Sequence, residues 1–199
     1  MNTILDHHYF QPLADPKNAP SEMAKYRHLI GKYCFRPDGL PGCVLDIATQ
    51  GEPICPWAIG LDLPVDEFNY YCGNHPAKGP IQCRGHADKL PFDDNSFDTL
   101  SACHYAEDVP QSKWPELFGE WKRVLKPGGY MIVLVPEVER WNYAIKVLGQ
   151  CPNCSHSAPE PSVGDMSRVA LQLGMEVIED RLTDCYEHDY SILGVFKKP

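Results

Sequence analysis

The sequence predicts an α/β fold built on a mainly parallel sheet. Short apolar runs bounded by turn residues recur at 43–48, 57–62, 97–103 and 130–135, the pattern of strands buried on both faces. Helical spacing appears between them, most strongly in Trp114, Leu117, Phe118, Trp121, Val124 and Leu125. Two final strands, 175–183 and 190–197, are joined by only residues 184–189, too few for a parallel crossover. They are expected to form an antiparallel hairpin at or near one sheet edge. Alternating strands and helices with such an ending imply one layered α/β unit.

In chain order, residues 1–20 hold Pro12, Pro16 and Pro20 and no periodic pattern, so they read as an irregular arm. A helix is expected over 22–35, with Met23, Tyr26, Leu29, Ile30 and Tyr33 on one face and Ser21 as its cap. Only residues 49–56 separate the first two strands, so a parallel pairing leaves the helix between them missing or cut to a turn. A weaker strand is expected at 80–84. Pro127-Gly128-Gly129 stops the long helix before strand 130–135. Residues 141–148 read as a helix and 150–161 as a proline-rich loop. A helix capped by Ser162 runs to Leu173, with Gly174 at its C-cap.

Length and charge narrow the function classes. A chain of 199 residues fits one domain. The net charge of −9 argues against non-specific nucleic-acid binding, which needs Lys and Arg to displace counterions. The longest unbroken apolar stretch, 130–136, is far shorter than a membrane span. No secretory pattern is visible in residues 1–10. Nine cysteines, an odd number and several in apolar runs, suggest free thiols in a reducing, cytoplasmic compartment.

In an open α/β sheet, ligands bind at the carboxyl ends of the strands, where strand order switches. The residues expected there are 46–51, Asp62, 84–88 and 103–108. Three motifs fall in or beside them. They are Gly85-His86-Ala87-Asp88-Lys89-Leu90-Pro91-Phe92, then Asn95-Ser96-Phe97-Asp98, then Glu120-Trp121-Lys122-Arg123-Val124-Leu125-Lys126-Pro127-Gly128-Gly129. In combination they resemble the class I S-adenosylmethionine-dependent methyltransferases, type 11 branch, in the compact subset with a shortened first crossover.

That resemblance, which runs from about Cys43 to Pro136, implies a Rossmann-like class I methyltransferase fold with strand order 3-2-1-4-5-7-6. It implies a single domain over 1–199: an N-terminal arm and helix (1–40), a cofactor-binding core (41–136), an acceptor-side insertion (137–161), and a closing helix and hairpin (162–199). It further implies S-adenosyl-L-methionine as cofactor and a small-molecule methyl acceptor, with no nucleic acid or membrane as partner. The implied cofactor residues are Asp46, Ala48, Gly51, Asp62, His86, Ala87 and Cys103. Asp62 stands where an acid accepts both ribose hydroxyls, a task suited to a carboxylate. His86 stands where the family's adenine-side acid lies. His104 and Glu107 are the candidate bases for an acceptor that must lose a proton, and Tyr105 is placed to face the sulfonium.

Two departures from the family pattern matter. Ala48 and Gln50 stand where glycines are expected, so a catalytically silent binding or regulatory domain is the alternative expectation. Cys151-x-x-Cys154-x-His156 has the spacing of half a zinc site but no fourth ligand in sequence, so no metal is expected. A nicotinamide enzyme is disfavoured because Gly-x-Gly-x-x-Gly is absent.

Overall fold

Seven strands form one sheet in the order β3-β2-β1-β4-β5-β7-β6 in the computed structural model, which describes residues 8–15, 19, 22–71, 77–150, 155–157 and 159–199. The strands are β1 Val44–Ile47, β2 Ile59–Asp62, β3 Cys83–Arg84, β4 Phe97–Cys103, β5 Leu125–Pro136, β6 Glu176–Leu182 and β7 Ser191–Lys197. The first five are parallel, and β7 runs antiparallel to both β5 and β6. Strand order and terminal hairpin are those predicted above.

Five α-helices accompany the sheet among the described residues: α1 Glu22–Ile30, α2 Val65–Tyr71, α3 Trp114–Val124, α4 Val138–Lys146 and α5 Asp165–Gln172. None is long and apolar enough to cross a membrane. The first helix is shorter than its periodicity suggested, because it tightens into a 3-10 turn over Gly31–Cys34. A Cβ on Gly31 would sit 2.2 Å from the Phe10 ring, so glycine lets the N-terminal aromatic pack directly on that turn. The expected cap Ser21 lies outside the described residues. Helix α2 was not anticipated: its two turns are too short to show a period, and Phe68 is a buried apolar anchor.

Helix α5 begins at Asp165, not after Ser162. Gly164 holds the N-cap place with φ 97°, and the Asp165 carboxylate accepts the Ser162 amide at 2.8 Å. Gly174 does terminate this helix in a left-handed conformation, φ 69°. Helix α4 starts three residues earlier than expected because the Glu137 carboxylate caps it by accepting the Arg140 amide. The expected strand at 80–84 is reduced to the pair that meets β2.

The two sheet faces are covered differently. On one, α3 and α5 pack Trp114, Phe118, Trp121, Met166 and Ala170 over the strands in a single apolar cluster. The other face has no helix between β1 and β2, because residues 48–58 run as turns. The gap is filled by α1 and the N-terminal arm. Phe10, Tyr26, Ile30 and Tyr33 pack with Ile54, Cys55 and Ala58 of that connection against Val44, Ile132 and Leu134. Along β5, Met131, Val133 and Val135 face the first cluster and Ile132 and Leu134 the second, the two-residue period of a strand buried on both sides.

Helix α1 is tied down by polar contacts as well. Arg27 reaches the carboxylate of Glu52 at 3.0 Å and the carbonyl of Pro53 at 2.8 Å, and its guanidinium lies 4.0 Å from the Tyr9 ring centroid. The Tyr26 hydroxyl donates to Asp189 at 3.0 Å and meets Ser191 Oγ at 2.7 Å. Tyr26→Phe removes a donor from a buried carboxylate. It is expected to lower unfolding free energy by about 1–3 kcal/mol, read as a lower urea midpoint at unchanged slope.

Candidate functional site

A cavity of about 350 Å³ opens at the carboxyl ends of β1, β2 and β4, with Asp46, Asp62 and Cys103 in its wall. That is the lower end of the range for small-molecule sites. Strand order reverses between β1 and β4, so the cavity lies at the switch point of the sheet. Glu22 and Met23 of α1 close it on one side, and Cys103, His104, Tyr105, Asp108 and Val109 form another.

Asp46 builds the floor. It is 1% exposed; Oδ1 accepts from Ser101 Oγ on the neighbouring strand, and Oδ2 accepts the Ile54 amide at 3.0 Å. Burial pushes its carboxyl up to about 7, against the opposing pull of those hydrogen bonds.

The loop after β1 keeps a glycine-like backbone without the glycines. Ala48 and Gln50 have φ of 55° and 48°, and Gly51 has 83°. A Cβ on Gly51 would lie 2.3 Å from the backbone of Gly79, so only glycine fits there. Left-handed backbone costs a non-glycine residue roughly 1–2 kcal/mol, which glycine offsets in part by about 0.5–1 kcal/mol of chain entropy. The loop therefore adopts the conformation the departures put in question, held by its own hydrogen bonds. Gln50 N donates to Asp62 Oδ2 at 2.8 Å and Ala48 N to the Leu61 carbonyl at 2.9 Å.

Asp62 ends β2 and is 6% exposed, not solvated; Oδ1 accepts the Leu63 amide at 2.9 Å. Burial raises its carboxyl above the ordinary range. Each oxygen has spent one lone pair on a backbone amide and keeps another for a ligand.

Of the other residues singled out from sequence, Ala48, Cys103 and His104 line the cavity, as does Tyr105. Gly51, His86, Ala87 and Glu107 do not. His86 is exposed beside Glu67 of α2, at 3.4 Å, and Ala87 is buried with its carbonyl accepting Trp121 Nε1 at 2.9 Å. Burial pushes the Cys103 thiol well up, so it is an inert wall. Burial likewise pushes Tyr105 up to about 12, and it presents a neutral phenol. Lys78, Phe68, Glu22 and Met23 also line the cavity. Sequence reading missed them because they reach it from α1, α2 and the chain after α2, and no strand-end motif marks those segments.

Behind His104 a hydrogen-bond chain runs away from the cavity. Asp189 accepts from Tyr26 OH, Thr183 Oγ1 and the Ser191 amide. With the Tyr26 proton committed to Asp189, Ser191 Oγ must donate to Tyr26, and His104 Nε2 must carry the proton it shares with Ser191 at 3.1 Å. His104 Nδ1 meets Glu107 Oε1 at 3.0 Å, a contact that needs one more proton between them. Burial pulls the imidazolium down, but the Glu107 bond and charge outweigh it and its pKa ends raised. Glu107 has a fully buried side chain, and Oε1 lies 3.8 Å from His156 Nε2. His156 in turn bonds Glu160 at 2.6 Å, and the Ser157 amide donates to the Glu107 carbonyl at 2.7 Å. The chain thus links the cavity wall to segment 155–160. The Cys-x-x-Cys part of the zinc-like motif, Cys151 and Cys154, lies outside the described residues.

A seven-stranded sheet of this order with a reversed β7, and a cavity at the β1/β4 switch walled by a strand-end acid, define the class I methyltransferase fold. Residues 58–133 match the family model of the methyltransferase domain, type 11. A 93-residue segment is 32% identical to a protein named probable phthiotriol/phenolphthiotriol dimycocerosates methyltransferase 2 from Mycobacterium ulcerans, over 45% of this chain and 35% of that one. The chain thus spans about a third of the curated relative it matches. Among solved structures, an S-adenosylmethionine-dependent methyltransferase from Methanosarcina mazei aligns with TM-score 0.59 at 16% identity, over 85% of this chain and 96% of that one. Another from Mesorhizobium loti aligns with TM-score 0.61 at 14% identity, over 90% and 99%. Residues 58–133 thus resemble a methyltransferase domain, and the described chain has the fold of the S-adenosylmethionine-dependent methyltransferases it aligns with.

The raised Asp46 carboxyl has a pH signature. A group whose folded pKa lies above its unfolded value binds more protons when folded, so stability falls as pH rises between the two values. The window runs from 3.8 to about 7. The unfolding free energy of the parent relative to Asp46→Asn is expected to fall across that window, by on the order of 4 kcal/mol, and to be flat above it. Urea denaturation of both proteins at half-unit pH steps checks this, and a difference that does not change with pH refutes it. Relief at a single loop position is expected to be small. Ala48→Gly should change stability by no more than about 1 kcal/mol, read from the same midpoints.

Proposed function

We propose that this chain catalyses methyl transfer from S-adenosylmethionine to a small-molecule acceptor. The observation that carries the reading is Asp62: a buried strand-end carboxylate, in the wall of a switch-point cavity, with a lone pair left on each oxygen. It fits a ribose diol. The left-handed loop at 48–51 supplies the close backbone approach that the same ligand needs, although two of its residues are not glycine. When bound, S-adenosylmethionine supplies an electrophilic methyl on a sulfonium.

The residues around it have separable tasks. Asp62 orients the ribose. The neutral Tyr105 ring offers its π face to the positive sulfur, and Met23 and Val109 add apolar wall that excludes water. Displacement at a sulfonium depends chiefly on alignment and desolvation, which such a lined cavity provides. His104 and Glu107 are the catalytic candidates on the acceptor side. Their pair already shares a proton, so His104 fixes the acceptor wall in the resting state. With Nε2 protonated and Nδ1 sharing a proton with Glu107, it serves as a base only after one of those protons has left. Segment 137–161 borders this side through His156 and Ser157. A reducing, cytoplasmic setting suits the free thiols at Cys34, Cys55, Cys83 and Cys103.

The silent-domain alternative shares the cavity and differs in turnover. Calorimetric titration with S-adenosylhomocysteine, followed by transfer of labelled methyl to a panel of small amines, phenols and thiols, separates the two. Binding with transfer supports the enzyme; no binding by the folded protein supports the silent domain. Asp62→Ala is expected to weaken S-adenosylhomocysteine binding at least about tenfold, the equivalent of 1.4 kcal/mol. It should also lower the melting temperature, because two backbone amides lose their acceptor. Asp66→Ala, exposed on α2, is expected to leave affinity unchanged. Equal affinity of Asp62→Ala and the parent would falsify the ribose assignment.

A further inference from the structure

Asp46 stands in the wall of the cavity with hydrogen bonds but no counter-charge of its own. Among the described residues, the groups that bond it or feel its charge come from four elements. They are Ser101 and Cys103 on β4, Thr49 and the Ile54 amide on the connection to β2, Arg27 on α1, and Cys34 and Tyr9 on the N-terminal cover. Burial pushes both thiols and the phenol up, so these three are neutral. Arg27 is the charged member of the set, and Glu52 matches its charge at 3.0 Å. A buried carboxyl in such a setting favours its neutral acid form. A cation entering the cavity reverses that preference, because a nearby opposite charge favours the ionised form.

The cofactor and its product differ by one methyl group and one positive charge. S-adenosylmethionine carries a sulfonium, and S-adenosylhomocysteine a neutral thioether. We propose that Asp46 distinguishes the two, meeting the sulfonium as a carboxylate and the thioether as a neutral acid. This rests on the cofactor reading above. The proton that Asp46 gives up when the sulfonium binds leaves to the solvent. Once the methyl has gone, with the bonding pair left on sulfur, Asp46 faces no cation and takes a proton back. The arrangement favours entry of the cofactor over retention of the product. Ser101 is a positioning residue here, because its hydroxyl bond to Oδ1 favours the ionised form. Neither residue takes part in the displacement itself.

The test is calorimetric titration of the folded protein with each ligand from about pH 5 to about pH 8, in buffers of different ionisation enthalpy, so that released protons are counted. Ionised Asp46 binds the sulfonium better. Affinity for S-adenosylmethionine relative to S-adenosylhomocysteine is therefore expected to rise with pH and to level off above about 7, where the empty site is already ionised. The rise should be at least about tenfold, the lower end of what a nearby opposite charge does to a carboxyl. Near about pH 6, S-adenosylmethionine should release more protons than S-adenosylhomocysteine.

Asp46→Asn is expected to give a flat ratio and no difference in protons. The ligands' own amines, and Glu22, Asp62, Asp108, Lys78 and His104 in the wall, are present with parent and variant alike, so the difference between the two proteins belongs to Asp46. Ser101→Ala leaves Asp46 in place and should move the rise to higher pH. It decides the matter even where Asp46→Asn does not fold. A flat ratio in the parent, a rise that Asp46→Asn retains, or a rise that Ser101→Ala does not move overturns the proposal and leaves the cofactor reading intact. A folded parent that binds neither ligand removes the cofactor reading, and this assignment with it.

Discussion

The buried carboxylate of Asp46 is the constraint from which the rest of this architecture follows. It lies at the centre of the sheet, directly opposite Ser101 in the β1–β4 register. Its two oxygens answer two demands at once: one joins the neighbouring strand, the other catches the Ile54 amide eight residues downstream. The second bond turns the chain back toward β2 within a connection too short for a helix. Burying a carboxylate is costly unless its hydrogen bonds are satisfied, and its raised pKa records a cost only partly met. A protein that keeps such a group in its core gains from it a short, specific turn that hydrophobic packing alone cannot encode.

Loss of the crossover helix exposes one face of the sheet, and the N-terminal segment covers it. The cover is then drawn into the site. Arg27 clamps Glu52 and Pro53 of the short connection, and Tyr26 reaches the far end of the sheet at Asp189 and Ser191. Held through Tyr26 and Arg27 at its middle, α1 brings Glu22 and Met23 to the cavity. One deletion in the sheet wiring thus changes which residues meet the ligand. The cofactor side loses a helix N-terminus, and the opening is framed by a helix that precedes the sheet in sequence.

These dependencies mark the limit of what was legible in the sequence. The strands were legible because each is a short apolar run, and the hairpin because 184–189 is too short for a parallel return; their order followed from the resemblance carried by the motifs at 85–92, 95–98 and 120–129. The strand-end acid in the cavity wall was legible because Asp62 closes such a run. Helix α2 was not, since two turns are too short to carry a period. The place of His86 was not, because a residue after a two-residue edge strand is oriented by the chain that follows, and here it turns outward to Glu67. Lys78, Glu22 and Met23 were invisible for a different reason: each reaches the cavity through a tertiary contact made far from any strand end. Ala48 and Gln50 show the opposite error. Their side chains break the glycine pattern, yet their backbones occupy the left-handed region all the same, because the bonds to Leu61 and Asp62 hold the loop more strongly than local preference opposes it.

The His104 wall obeys a similar logic of propagated constraint. Asp189, ringed by donors, orients Tyr26; Tyr26 orients Ser191; Ser191 requires a proton on His104 Nε2; and that leaves one proton to be shared between Nδ1 and Glu107. Protonation at the cavity wall is therefore decided by a carboxylate several groups away in the hairpin loop between β6 and β7. Glu107 carries the order onward to His156 and Glu160, in the segment beside the acceptor side. A chain of this kind resists piecemeal change, because reversing one bond leaves two buried oxygens facing each other without a proton. The His104 wall of the cavity is thus fixed in shape and in charge by elements that do not line it, just as the β1 end is fixed by Asp46.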